Sequence, residues 1–120
     1  MPTALDAGNL FEDVREQSDE EEFRTLLARP GLKVERIVST GQCSPPGFWY
    51  DQAWDEWVLL VSGGAVMEFE GGDTRYTLKR GDYLHIAPGQ RHRVAWTQSD
   101  PPTIWLAVHS GDIGEEKPLA

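Results

Sequence analysis

The stretch from Gly47 to Gly63, GFWYDQAWDEWVLLVSG, sets a carboxylate, Glu56, at the mouth of an unbroken apolar run, Trp57 to Val61. Burying an unpaired charge costs enough that such a group takes a partner or a metal ion. Glu56 is therefore a candidate site residue, and Tyr50, Gln52 and Trp54, just ahead of it, are candidate pocket residues. A second stretch, Gly81 to Val94, GDYLHIAPGQRHRV, supplies a partner, His92, after a Pro-Gly turn. The two groups have two readings. In one, Glu56 and His92 are a buried, hydrogen-bonded carboxylate-imidazole pair that satisfies both groups. In the other they are donors to a metal ion. Tyr50 and Gln52 are expected to line the pocket and to hydrogen-bond a ligand or each other. By strand alternation His92, Val94 and Trp96 share a face, so Trp96 is the expected pocket wall. His85 is expected on the opposite face. His109 ends the last strand with no partner evident.

These residues need a scaffold, and the chain reads mostly as strands. Ser18 followed by Glu21 forms a capping-box pattern, with acids Asp19 to Glu22 in a first turn and Phe23, Leu26 and Leu27 on one face. This predicts a short helix over Asp19 to Arg29, stopped by Pro30-Gly31. From Leu32 onward the pattern alternates, giving expected strands at Leu32 to Thr40, Phe48 to Gln52, Glu56 to Ser62, Ala65 to Glu70, Thr74 to Lys79, Tyr83 to Ala87, His92 to Thr97 and Thr103 to His109. Gly63-Gly64 reads as a two-residue hairpin, and Gly71-Gly72-Asp73 as a further turn. Short strands at regular spacing imply an antiparallel sandwich or small barrel. Leu10, Phe11 and Val14 form an apolar patch expected to dock on the body.

Composition narrows the function classes. A chain of 120 residues fits one domain and can bury a core without staples. Twenty acids against eleven bases give a formal charge of -9, which opposes nucleic acid and anionic membrane surfaces. The acidity is concentrated early, with eight acids and three bases in the first thirty residues. A single cysteine, Cys43, rules out an internal disulfide. The start MPTALDAGNL has no signal-peptide pattern, and no apolar run reaches membrane-spanning length, so a soluble cytoplasmic protein is the expectation.

The two glycine-bounded stretches, with seventeen residues between Gly63 and Gly81, resemble the two motifs of the cupin superfamily. Glu56 and Gly63 match the end of the first motif, and Gly81, Gly89 and His92 match the second. Ala87-Pro88 stands where the second motif has Pro-x, and Trp96 where it has asparagine. The resemblance implies an all-β fold, a small antiparallel jelly-roll (cupin) barrel over residues 32–109. It is preceded by an extension with a short N-terminal helix over 1–31 and followed by a loose tail over 110–120.

The first motif's His-x-His pair falls on Tyr50 and Gln52, giving Tyr-Asp-Gln in its place. The resemblance implies a divalent transition metal, Fe, Mn, Ni or Zn, with Gln52, Glu56 and His92 as candidate ligands. A glutamine oxygen is a neutral donor, and a tyrosine binds well only after losing its phenolic proton. The expected site is therefore weaker than the family norm. Two functions follow: a cupin that binds a small organic ligand in the barrel interior without metal, and a metal-dependent cupin enzyme of dioxygenase, isomerase or lyase type. A homodimer is expected, paired through the strand Leu32 to Thr40 as an edge.

Overall fold

The alternation of apolar and polar residues is realised as eight strands, and a computed structural model describes residues 5–71 and 74–113. The strands are β1 (Glu22–Arg29), β2 (Leu32–Ser39), β3 (Asp55–Ser62), β4 (Gly64–Phe69), β5 (Arg75–Lys79), β6 (Tyr83–Ile86), β7 (His92–Thr97) and β8 (Thr103–Ser110). Every pairing between them is antiparallel. One sheet runs β1-β2-β8-β3-β6 and the other β5-β4-β7. Their inner faces meet over a core that includes Leu60, Ala65, Met67, Leu78, Ile86 and Ala107. This is a jelly roll.

The N-terminal helix does not form. The segment is β1, paired with β2 from Glu22↔Val38 to Arg29↔Leu32 with one bulge between Thr25 and Leu27. Long-range pairing overrides the local helix signal, and the capping residues are used elsewhere. The Ser18 N–H donates to Thr40 Oγ1, its carbonyl accepts from Gln42 Nε2 at 2.8 Å, and Glu21 accepts from the Ser39 hydroxyl. Pro30-Gly31 turns a hairpin, with Gly31 at φ 77°. A further correction follows. β2 lies between β1 and β8, so it is no edge strand; that position belongs to β1.

The guanidinium of Arg36 is 1% exposed although it sits on a strand. It donates to the carbonyls of Leu10 and Glu12 and to Glu22 Oε1 at 2.6 Å. The N-terminal segment is therefore held by its backbone, while Phe11 stays exposed. Residues 1–4, residues 72–73 of the expected Gly71-Gly72-Asp73 turn and most of the expected tail, 114–120, lie outside the described residues.

Two other expectations are corrected. Gly63-Gly64 joins β3 in one sheet to β4 in the other, so it is a corner and no hairpin. The expected strand Phe48 to Gln52 is reduced to one bridge, Tyr50↔His92, closed by hydrogen bonds of 2.7 and 3.0 Å. Beyond it the Gln52 carbonyl turns to the Gly89 N–H at 2.7 Å.

The corner requires glycine. Gly63 has φ 81°, and a Cβ there would lie 2.6 Å from Thr103 Oγ1 and 2.7 Å from Thr103 Cα. Gly63→Ala combines a left-handed backbone with this overlap and is expected to destabilise the protein by about 2 kcal/mol or more. Chemical denaturation checks it, and an unchanged midpoint would show that the corner relaxes freely.

Candidate functional site

A cavity lies between the inner faces of the two sheets, at the end of the barrel where Tyr50 bridges to His92. It measures about 50 Å³ and is lined by Glu21, Phe23, Ile37, Tyr50, Gln52, Glu56, Val58, Met67, Ile86, His92, Val94 and Trp105. On this measure that is room for a few waters or a small organic group. Each element contributes through its register. Glu56 and Val58 are inward positions of β3, His92 and Val94 of β7, and Trp105 of β8.

The Glu56 carboxylate is 6% exposed. Its Oε1 accepts from Gln52 Nε2 at 3.0 Å, which places the amide's N–H side toward the carboxylate. His92, 3% exposed, has its Nε2 3.9 Å from Glu56 Oε1, beyond hydrogen-bond reach. Its Nδ1 lies 2.9 Å from the Gln90 carbonyl, an acceptor only, so Nδ1 carries a proton. Nε2 is then the nitrogen presented to Glu56. Glu56 and His92 are thus neighbours without a direct hydrogen bond. Tyr50 stacks on the His92 ring, centroids 5.4 Å apart, and Phe48 meets Tyr50 edge-on.

Tyr50, Gln52, Glu56 and His92 are brought together as site residues. The other two pocket candidates are not. Trp96 is 48% exposed, because Val66 pairs with Trp96 and Met67 with Val94, leaving Ala95 as a bulge in β7. One extra residue reverses the faces beyond it, so Thr97 is buried instead and donates to the Gln42 carbonyl. Trp54 is buried outside the cavity lining and donates its indole N–H to His109 Nδ1 at 2.8 Å. His85 is exposed and sits 2.7 Å from Asp55.

His109 is the residue whose partners sequence reasoning missed. It is 1% exposed and stands opposite Lys33 on β2 and opposite Glu56 on β3, forming one cross-strand row. An indole N–H can only donate, so Nδ1 of His109 accepts and Nε2 carries the ring proton. That Nε2 lies 3.0 Å from Glu35 Oε1 and 4.0 Å from Glu56 Oε2. Glu35, 1% exposed, also meets Lys33 Nζ at 3.2 Å. Glu21, Phe23 and Trp105 were likewise missed as lining. Trp105 Nε1 donates to Ser39 Oγ at 3.3 Å, and Ser39 donates to Glu21. Only the strand register reveals these groupings.

A jelly roll with a polar cluster at one inner end, set by residues before its β3 and at the start of its β7, defines the class. The chain belongs to the cupin domain family, whose profile matches residues 36–109. It is 55% identical to a Ralstonia eutropha JMP134 protein provisionally named a mannose-6-phosphate isomerase, covering 87% of this chain and 96% of that one with a TM-score of 0.84. A cupin superfamily protein from Desulfitobacterium hafniense DCB-2 is similar in fold, with 15% identity, coverage of 82% and 84% and a TM-score of 0.67. So is an RmlC-like cupin protein from Desulfovibrio desulfuricans, with 16% identity, coverage of 88% and 96% and a TM-score of 0.70. No curated protein matches the sequence.

Cupins commonly bind metals, and the donor set of this chain can be tested against that. Among the described residues no three His, Cys, Asp or Glu side chains are grouped to hold an ion. Glu56 and His92 are the two conventional donors, Gln52 turns its N–H side to Glu56, and His109 Nε2 is engaged by Glu35. A transition-metal centre draws on three or four good protein ligands. The residues present do not fit one.

The buried row predicts its own cost of disruption. His109→Leu leaves the Glu35 carboxylate and the Trp54 N–H without their imidazole and is expected to destabilise the protein by about 3 kcal/mol or more. Trp54→Phe removes one donor and is expected to cost about 1–2 kcal/mol. Urea unfolding of both variants decides this; a loss under about 1 kcal/mol for His109→Leu would show that Glu35 is satisfied without the ring.

Proposed function

We propose that this cupin binds a small organic ligand in the barrel interior. Glu56, His92, Gln52 and Tyr50 are its polar contacts, and Phe23, Val58 and Trp105 are among its apolar walls. In this reading Tyr50 and Gln52 occupy the positions where the family carries its histidine pair and serve as hydrogen-bonding groups. The observation that carries it is the cavity itself, an apolar chamber of about 50 Å³ with a few convergent polar groups. Within it, among the described residues, neither Glu56 Oε2 nor His92 Nε2 receives or makes a hydrogen bond. The two side chains are 4% and 7% exposed, and a bound molecule would supply partners for both atoms.

The name of the Ralstonia protein raises a sugar phosphate as ligand, and this cavity argues against it. Among the lining residues there is no lysine or arginine, while Glu21 and Glu56 are both carboxylates. A phosphate dianion would meet like charge there, and the volume is small for a hexose phosphate.

A metal-dependent enzyme using Glu56 and His92 as ligands is the second reading. One observation favours it: His92 presents Nε2 inward while Nδ1 is backed by a carbonyl, the arrangement that orients a ligating imidazole. The missing third donor weighs against it. The homodimer is proposed through β1, whose outer edge is unpaired in the sheet and whose Leu26 and Leu27 are exposed.

Two measurements test these readings. A fragment screen read by protein NMR is expected to give saturable shifts at Tyr50, Glu56, His92 and Trp105, lost in His92→Ala; an absence of any hit near these residues would sink the pocket. Elemental analysis of protein purified without chelator is expected to find well below one equivalent of transition metal. A full equivalent that disappears in His92→Ala would establish the metal-dependent reading instead.

A further inference from the structure

Glu56 lines the cavity with a carboxylate, which can only accept hydrogen bonds. Glu56 Oε1 takes the single N–H that Gln52 directs at it, and Oε2 takes none among the described residues; its nearest ring nitrogen, His109 Nε2 at 4.0 Å, donates to Glu35. His92 spends its Nδ1 proton on the Gln90 carbonyl and turns Nε2 toward Glu56 at 3.9 Å. A molecule that completes this site must bring donors.

We infer that the ligand is a small organic cation, a protonated amine carrying an apolar body of a few carbons. The inference rests on the pocket reading above and names its chemical class. The charge balance supports it: Glu21 and Glu56 line the cavity with no lysine or arginine among the lining residues. A buried carboxylate is stabilised by an opposite charge and opposed by a like one. The walls agree, since Phe23, Tyr50 and Trp105 are among the lining residues and aromatic side chains are favourable neighbours of a cation. The remaining walls, Ile37, Val58 and Met67, are apolar and suit a short hydrocarbon body. An ammonium group has three N–H donors, so it can give Glu56 Oε2 a charge-assisted hydrogen bond and keep two for other acceptors. A neutral alcohol has one, and a carboxylate has none.

Three probes with one isobutyl body separate charge from shape: isobutylammonium, isobutanol and 3-methylbutanoate, titrated calorimetrically into the intact protein at neutral pH and low salt. The ammonium is expected to bind at least about tenfold more tightly than the alcohol, with the carboxylate weakest. In Glu56→Gln the ammonium's advantage over the alcohol is expected to disappear. Equal binding of ammonium and alcohol, or preference for the carboxylate, overturns the cation and leaves the pocket reading standing. A preference for ammonium that survives Glu56→Gln also overturns it, because the charge then lies elsewhere. Should Glu56→Gln fail to fold, the three-probe comparison on the unsubstituted protein decides alone. Binding by none of the three rejects the class; the pocket reading falls only if the fragment screen is also blank.

Discussion

The structure is governed by the burial of ionisable side chains at one end of a small barrel. Glu35, Glu56, His92 and His109 are each nearly inaccessible, and removing charge from water is costly unless partners replace the lost hydration. The jelly roll provides those partners through register. Lys33, His109 and Glu56 fall in one row across β2, β8 and β3, so one imidazole is shared between a tryptophan donor and a carboxylate acceptor. At the far end of the same interior the row gives way to Leu60, Ala65 and Leu78. The polar end and the dry end are consequences of one alternation read along different strands.

That arrangement separates two roles that both involve glutamate. Glu35 is held on both sides, by His109 and by Lys33, and serves to fix β2 against β8. Glu56 is held on one side only, by Gln52. In the proposed ligand site this asymmetry assigns ligand contact to Glu56 and a structural part to Glu35, although both are buried and both sit inside the sheet. Arg36 works similarly on the outer face, where it anchors the N-terminal segment and the start of β1. Since Glu21 and Phe23 line the cavity, that anchor also sets the position of its mouth.

The sequence made the barrel legible because its signals were local. Turn glycines and period-two alternation placed seven of the eight strands within a residue or so, and the spacing of Glu56, Gly63, Gly81 and His92 identified the fold. What stayed hidden was everything decided by pairing. The segment from Glu22 to Arg29 carries a helix start in its composition and becomes a strand because β2 offers it a partner. Gly63-Gly64 has hairpin composition, yet contact with Thr103 makes it a corner between sheets. His109 had no visible partner since its neighbours come from positions 35, 54 and 56, which only the register brings near. Trp96 was misplaced by simple alternation, which does not foresee a bulge.

That bulge at Ala95 has a wider meaning. It acts as a phase shifter within a single strand: before it, β7 writes its side chains into the chamber, and after it, the same parity is written on the outside. The space near Val94 is therefore fixed by a count of residues and not by their size. Plain alternation through Ala95, with no bulge, would instead turn the Trp96 indole to the inner face that Val94 shares. The placing of one bulge along a strand thus decides which side chains reach an interior as directly as substitutions within it do.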